Sequence, residues 1–202
     1  MASDFHTHNR NPDTRALVSS ISPLPGKLTS LEIHPWFLPG NYDPRILPPS
    51  SCFIEAAAIG EIGLDKLRGP EFFIQQRYLQ QILAMASDCH KPVVIHCVKA
   101  FDELFAILKP FTLKVMIHGF RSSPQMLDEL WKRKFTVSFH PLMVNNIALM
   151  KKLQNHYGAF GFESDDLKDV DIIDLLNTAE KNSCNSGLEK ITDQFFADFL
   201  EE

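Results

Sequence analysis

The first residues that could do chemistry stand at the start of the chain, in the run Asp4-Phe5-His6-Thr7-His8. Side chains of a β-strand alternate between its two faces, so His6 and His8 point to the same side if this run is extended. Two neighbouring imidazole rings on one face supply half of the ligands that a metal ion needs. The pair becomes informative only if later strands bring more ligands to the same place.

Further ligand-type side chains follow apolar runs that are typical of buried strands. Glu61 lies inside the run AIGEIGL, and burying an unpaired carboxylate there would cost several kcal/mol. Of the eight histidines, only His90 and His156 fit surface positions near helix ends. The ligand-type residues at predicted strand ends are His6, His8, His34, Glu61, Asp65, His96, His118, His140, Glu163 and Asp165.

A mixed set of imidazoles and carboxylates favours a borderline or hard divalent ion, namely Mg, Mn or Zn. Five or six ligands exceed what one tetrahedral ion takes. They suit two divalent ions that share a bridging carboxylate and lie about 3.5–4 Å apart. Such a pair activates a water molecule and stabilises the departing oxygen of a phosphoester, so we expect two divalent metal ions as cofactors.

The elements that must position these residues are visible as apolar periodicities. From the fourth strand onward the predicted strands alternate with helices, whereas turn residues and prolines leave little room for helices before it. The predicted strands cover 3–8, 16–21, 28–34, 56–64, 92–97, 113–118, 135–140 and 159–163. The predicted helices cover 70–90, 100–108, 124–132, 147–154, 171–182 and 188–200.

Alternation of strands and helices indicates right-handed crossovers and a parallel sheet. Eight such strands predict an α/β protein of the TIM-type (β/α)8 barrel class, shortened, with the early helices missing. An open doubly wound sheet is the alternative, disfavoured because no glycine-rich phosphate loop opens a helix. The 202 residues suffice for one sizeable core, so we expect a single domain over 1–202. In such a barrel the carboxyl ends of the strands form the catalytic face.

The composition indicates which kinds of partner and which cellular compartment are expected. The net charge is -5 and no basic block is present, so no stable complex with duplex nucleic acid is expected. No apolar run reaches about 18 residues, so no transmembrane helix is predicted. The four cysteines form no CxxC pair and no regular framework. With no signal peptide at the start, they are expected to be reduced thiols in a cytoplasmic protein.

Several motifs resemble those of the TatD-type metal-dependent hydrolases. Asp4-Phe5-His6-Thr7-His8 is similar to the D-x-H-x-H opening of that family, and residues 59–65 repeat its I-G-E-I-G-L-D signature without change. The order and approximate spacing agree over residues 4–165. The other matching motifs are Ile33-His34-Pro35, the strand-histidine motifs around His96 and His118, and Glu163-Ser164-Asp165.

The resemblance implies a divalent-metal hydrolase, and members of the family commonly trim DNA from an end. It implies that His6, His8 and Asp165 hold one ion, and that Glu61 bridges to a second ion held by His96 and His118. Asp165 and Glu61 would be the catalytic residues, with Asp165 positioning the attacking water or taking its proton. The substrate would be a phosphoester, with DNA ends as one candidate, contacted by His34, Asp65 and Lys99.

The sequence departs from the family pattern around the rim. Val98 stands where the family often has an arginine, with Lys99 beside it, and the segment after Asp165 lacks the usual proline and arginine. Lys99 is either a phosphate contact or a surface residue at a helix start. Two alternatives therefore stay open: hydrolysis of another ester or an amide on the same centre, and a barrel that binds metal or ligand without turnover.

Overall fold

A computed structural model describes residues 2–154 and 158–201 of the chain. Eight strands pair in chain order into a closed barrel, with parallel registers. The predicted TIM-type barrel is therefore confirmed. The strands are β1 (Ser3–Thr7), β2 (Arg15–Ser20), β3 (Leu28–Leu31), β4 (Ala58–Asp65), β5 (Val93–Val98), β6 (Val115–Phe120), β7 (Thr136–Phe139) and β8 (Phe160–Phe162).

The helices follow the predicted alternation from β4 onward. The connections from β1 to β2 and from β2 to β3 contain no helix, so the predicted loss of early helices is confirmed for these described residues. The α-helices are α1 (Ser50–Glu55), α2 (Phe72–Asp88), α3 (Phe101–Leu108), α4 (Pro124–Lys132), α5 (Ile147–Met150), α6 (Ile172–Ser183) and α7 (Leu188–Leu200). None of the described helices is long and apolar enough to cross a bilayer.

Two local differences from the sequence-based expectation concern short helices. The six-residue α1 was not predicted, because it is too short to display a helical periodicity and follows a proline-rich stretch. The predicted helix over 147–154 divides into α5 and the 3-10 helix Lys151–Gln154. His90 is exposed, as predicted, whereas His156 lies outside the described residues.

The chain divides into two compact units, of which the first comprises the described residues up to 18 and from 116 to 201. In this unit β1 pairs with β8 through Asp4 and Phe162. Helix α7 covers the pair, and the Phe196 ring packs edge-on to the buried Phe5 ring at a centroid distance of 5.2 Å. A Cβ at Gly161 would lie 2.2 Å from the Phe5 ring, so this position of β8 requires glycine.

The second unit covers residues 19–115, and β4 is its central strand. Every residue of β4 is buried, as expected for a parallel strand covered on both faces. Gly63 pairs with His96 of β5, and a Cβ on Gly63 would lie 1.9 Å from the His96 carbonyl oxygen. Glycine at position 63 thus allows the backbone of β5 to approach β4 closely at His96. That residues 1–202 form a single hydrolase domain stays a prediction.

Candidate metal centre

In the first unit, β1 and the end of β8 bring two histidines and an aspartate together. The Asp165 N–H donates to the His6 carbonyl at 3.0 Å, and the His8 N–H donates to the Asp165 carbonyl at 2.9 Å. This backbone pairing holds Asp165 Oδ1 4.0 Å from His6 Nε2 and 3.9 Å from His8 Nε2. An ion about 2.0–2.2 Å from each ligand atom would fill such gaps. His6 is buried, whereas His8 lies at the rim.

A buried carboxylate beneath these ligands ties their strands together. Asp4 accepts hydrogen bonds from the Ser164 N–H at 3.0 Å and from the Ser164 hydroxyl at 2.7 Å. Burial raises the pKa of Asp4 to about 7, against the lowering effect of these hydrogen bonds; the charge of Glu163 raises it further, and His6 lowers it. Asp4 therefore positions the end of β8, and with it Asp165, against β1.

A second group in the same unit contains His118, Glu163 and Asp165. One ligand atom from each lies within 4.8 Å of the others. Glu163 is fully buried; its Oε1 accepts the Gly119 N–H at 2.7 Å and lies 3.6 Å from His118 Nδ1. Its second oxygen, Oε2, has no hydrogen-bond partner among the described residues. A buried carboxylate oxygen in this situation fits a nearby cation.

Glu163 is the acidic residue that sequence reasoning did not assign to the site. The sequence predicts Glu163 at a strand end, but of the acidic run only Asp165 is predicted as a ligand. Its position directly after Phe162, within a motif already noted, was the available signal. Its burial could not be inferred, because the residues that follow it form an exposed acidic loop.

In the second unit, Glu61 meets two histidines. The Glu61 Oε2 atom lies 3.2 Å from His34 Nε2 and 3.7 Å from His96 Nδ1. Their ligand atoms all lie within 4.8 Å of one another, and Glu61 is buried. The predicted carboxylate of β4 and the predicted histidine of β5 are therefore neighbours, as a metal centre requires.

Asp65 contacts His96, the predicted ligand on β5. The Asp65 Oδ2 atom lies 3.2 Å from His96 Nε2 and accepts the Trp36 indole N–H at 2.6 Å. Its Oδ1 accepts the backbone N–H groups of Leu67 and Arg68. Burial opposes ionisation, but the bonds from Trp36, Leu67 and His96 prevail and hold the pKa of Asp65 below its usual value. A carboxylate in this position orients a histidine whose other nitrogen faces a metal.

The two His-Pro pairs of the chain share one local structure. His34 and His140 each precede a 3-10 helix, and each accepts through Nδ1 the N–H two residues later, from Trp36 at 3.1 Å and from Leu142 at 3.2 Å. The proton of the neutral ring then resides on Nε2. His34 can therefore donate to Glu61, and His140 presents a donor at the end of β7.

The structure distributes the predicted site residues over both units. The first unit contains His6, His8, His118 and Asp165, and the second contains His34, Glu61, Asp65, His96 and Lys99. Lys99 is exposed directly after β5. That all six predicted ligands surround one pair of ions stays a prediction, as do the substrate contacts of His34, Asp65 and Lys99.

Comparison with known proteins adds sequence relatives. The model of the TatD related DNase family matches residues 29–165, so the match begins after His6 and His8. A 3'-5' ssDNA/RNA exonuclease TatD of Pantoea ananatis is 35% identical over 77 residues, which are 36% of this chain and 30% of that protein. An uncharacterized metal-dependent hydrolase of Methanocaldococcus jannaschii is 27% identical over 89 residues, 44% of this chain and 35% of that protein. The matched stretches thus span about a third of these relatives.

Solved structures share the fold. A TatD homologue from Escherichia coli superposes with a TM-score of 0.72 at 17% identity, covering 98% of this chain and 95% of the other. A hydrolase TatD family protein from Entamoeba histolytica gives a TM-score of 0.57 at 17% identity, covering 71% and 62%. Together with the family match over more than half of its length, the architecture leads to one conclusion: the chain belongs to the TatD-related DNase family.

Proposed function

We propose that the protein is a divalent-metal-dependent phosphodiesterase that removes nucleotides from single-stranded DNA or RNA ends. One observation carries the proposal: buried carboxylates at strand ends, Glu61 and Glu163, lie against imidazole nitrogens in groups whose ligand atoms fall within 4.8 Å. The name of the Pantoea ananatis relative, a 3'-5' ssDNA/RNA exonuclease, supports the substrate class. Family membership supports the reaction type.

The donor set fits two divalent ions, Mg, Mn or Zn. In the proposal they are held by six residues, with Glu61 shared: His6, His8, Glu61, His96, His118 and Asp165. When bound, such ions lower the pKa of a water molecule and stabilise negative charge on the leaving oxygen. Asp65 supports this assignment, because its carboxylate lies within hydrogen-bond distance of His96 Nε2. Metal-bound histidines commonly donate their second ring N–H to such a carboxylate.

The protein groups have separate tasks in this scheme. Asp165 is the partly exposed carboxylate of its group, with 19% of its side chain accessible, so it can accept the proton of the attacking water. Glu61 is buried, and its Oε2 atom faces the imidazole rings of His34 and His96. His34, with its proton on Nε2, and the exposed Lys99 are proposed to contact the substrate phosphate. Attack of water on phosphorus then releases a nucleotide and a free hydroxyl on the shortened strand.

The test is a hydrolysis panel on metal-reconstituted protein with Glu61→Gln. We expect the wild-type protein to degrade a single-stranded oligonucleotide and thymidine 5′-p-nitrophenyl phosphate, and Glu61→Gln to lose at least about 100-fold in rate, because a buried charge at the centre is removed. Glu55→Gln, at the exposed end of α1, is the matched control. Full activity of Glu61→Gln, or of exhaustively chelated protein, would refute the proposal.

Partners and location follow from the same reasoning. The net charge of -5 supports a substrate held through one end rather than a stable complex with duplex nucleic acid. All four cysteines are free thiols in the structure, which supports the proposed cytoplasmic location.

A further inference from the structure

Arg121 directly follows β6, at the carboxyl end of that strand. It is exposed, and it forms no ion pair among the residues that the structure describes. Arg15, Arg45 and Arg133, by contrast, each pair with a carboxylate. A guanidinium presents five N–H donors in a planar fork that suits a phosphate group. A guanidinium without a carboxylate partner at this end of a barrel is therefore suited to bind an anionic ligand.

Strand register places Arg121 in a row with two groups of the site. Phe120 pairs with Phe139, and Phe139 pairs with Phe162. The residues that directly follow these three phenylalanines are Arg121, His140 and Glu163, so they leave three neighbouring strands at one level. Glu163 belongs to the group with His118 and Asp165, which puts Arg121 on the rim of that group.

The contact between Arg121 and His140 joins two donors. The Arg121 Nη2 atom contacts His140 Nε2, and His140 is buried. Burial lowers the pKa of His140, Arg121 lowers it further, and the charges of Glu163, Asp165 and Asp166 only partly oppose this. The neutral ring is therefore favoured, and because its Nδ1 accepts the Leu142 N–H, its proton lies on Nε2. Two N–H donors then converge on one place, where an anionic oxygen would satisfy both.

We propose that Arg121 and His140 together bind a phosphate oxygen of the substrate, at the carboxyl ends of β6 and β7. This inference rests on the proposed phosphodiesterase function, because it names the protein groups that hold the phosphate beside the metal ligands. The exposed Arg121 provides the positive charge and several N–H donors of its guanidinium group. The buried His140 provides one Nε2–H donor, whose direction is fixed by the hydrogen bond at Nδ1. The pair is a substrate-binding element distinct from His34 and Lys99, which lie in the other unit.

The test measures phosphate binding separately from turnover. Metal-reconstituted wild-type, Arg121→Gln and Arg121→Lys proteins are titrated with thymidine 5′-monophosphate, and their hydrolysis of thymidine 5′-p-nitrophenyl phosphate is measured. We expect Arg121→Gln to weaken nucleotide binding and to raise KM by about 10- to 100-fold, with Arg121→Lys in between. Metal content and Tm should be unchanged, because Arg121 is exposed and outside the ligand set.

Two controls separate phosphate binding from a structural role. Arg133→Gln removes an exposed arginine that pairs with Glu129 on α4, and it should bind the nucleotide as the wild type does. Low-millimolar guanidinium chloride should restore part of the binding lost in Arg121→Ala. Equal nucleotide affinity of Arg121→Gln and wild type would overturn the inference while leaving the proposed function intact. Arg121-dependent nucleotide binding without phosphodiester hydrolysis in the wild type would support the inference and refute the proposed function.

Discussion

Asp65 offers a direct test of how the second unit positions His96, a proposed metal ligand. Each of its carboxylate oxygens takes part in two hydrogen bonds. Oδ2 bonds the Trp36 indole and His96 Nε2, and Oδ1 accepts the N–H groups of Leu67 and Arg68. In Asp65→Asn one oxygen becomes an NH2 group, so two of the four donors must face another donor whichever way the amide is turned. The substitution preserves size and removes one charge.

The expected loss can be worked out from these contacts. If the amide faces Trp36 and His96, the imidazole loses the acceptor that orients it. Removal of such a supporting carboxylate lowers metal affinity by about 10- to 100-fold, which corresponds to roughly 1.4–2.8 kcal/mol. If the amide faces Leu67 and Arg68 instead, two charge-assisted bonds to the turn after β4 are lost, at about 1.5–3 kcal/mol each. The first outcome changes metal affinity and the second changes stability.

The assay combines both quantities. Competition of wild type and Asp65→Asn with a chromogenic chelator for Zn2+ gives the affinity ratio, and urea unfolding of the chelated proteins gives the stability difference. Asp88→Asn, at the exposed end of α2, is the control and should match the wild type in both. Wild-type metal affinity together with wild-type stability in Asp65→Asn would refute the assigned positioning role.

Two further predictions concern the first unit. In the absence of metal, Asp4 should make stability fall as the pH rises from about 4 to 7, because its pKa is 3.8 unfolded and about 7 folded, so the folded state binds the proton more tightly. Urea unfolding of chelated wild type and Asp4→Asn at pH 5 and pH 8 checks this, and equal pH dependence of the two would contradict it. Gly161→Ala forces a Cβ against the Phe5 ring, so we expect a loss of about 1–3 kcal/mol. Tm should fall by roughly 2–12 °C, whereas Gly40→Ala, with open space around it, should show no loss.

The sequence was sufficient for the architecture because its signals were periodic and local. The continuous apolar run around Glu61 predicted a strand covered on both faces, and β4 is buried throughout. The prolines before residue 50 predicted the loss of early helices. The short helix α1 was not predicted, because six residues form fewer than two helical turns and show no hydrophobic periodicity.

The site was predictable in its residue types and less so in their roles. Glu61 and His96 were predicted as ligands, and the structure brings them together. The substrate contact of Asp65 stays a prediction, and the structure adds a positioning role, because its oxygens bond Trp36, His96 and two backbone groups. Such a role depends on contacts between residues far apart in sequence, which one chain without relatives does not reveal. Arg121 could not be identified from the sequence either. Its position beside His140 and Glu163 follows only from the register of three neighbouring strands.

The pairing of β1 with β8 affects the order in which the chain folds. Asp4 and Ser164 are 160 residues apart in sequence, yet their hydrogen bonds join the first strand to the last. Contacts between such distant residues cost the most loop-closure entropy, so they form late. During synthesis β1 is made before β8, so the two strands can pair only after β8 has been made. His6 and His8 therefore meet Asp165 only when the barrel closes, so a metal ion bound by this proposed group would report completion of the fold.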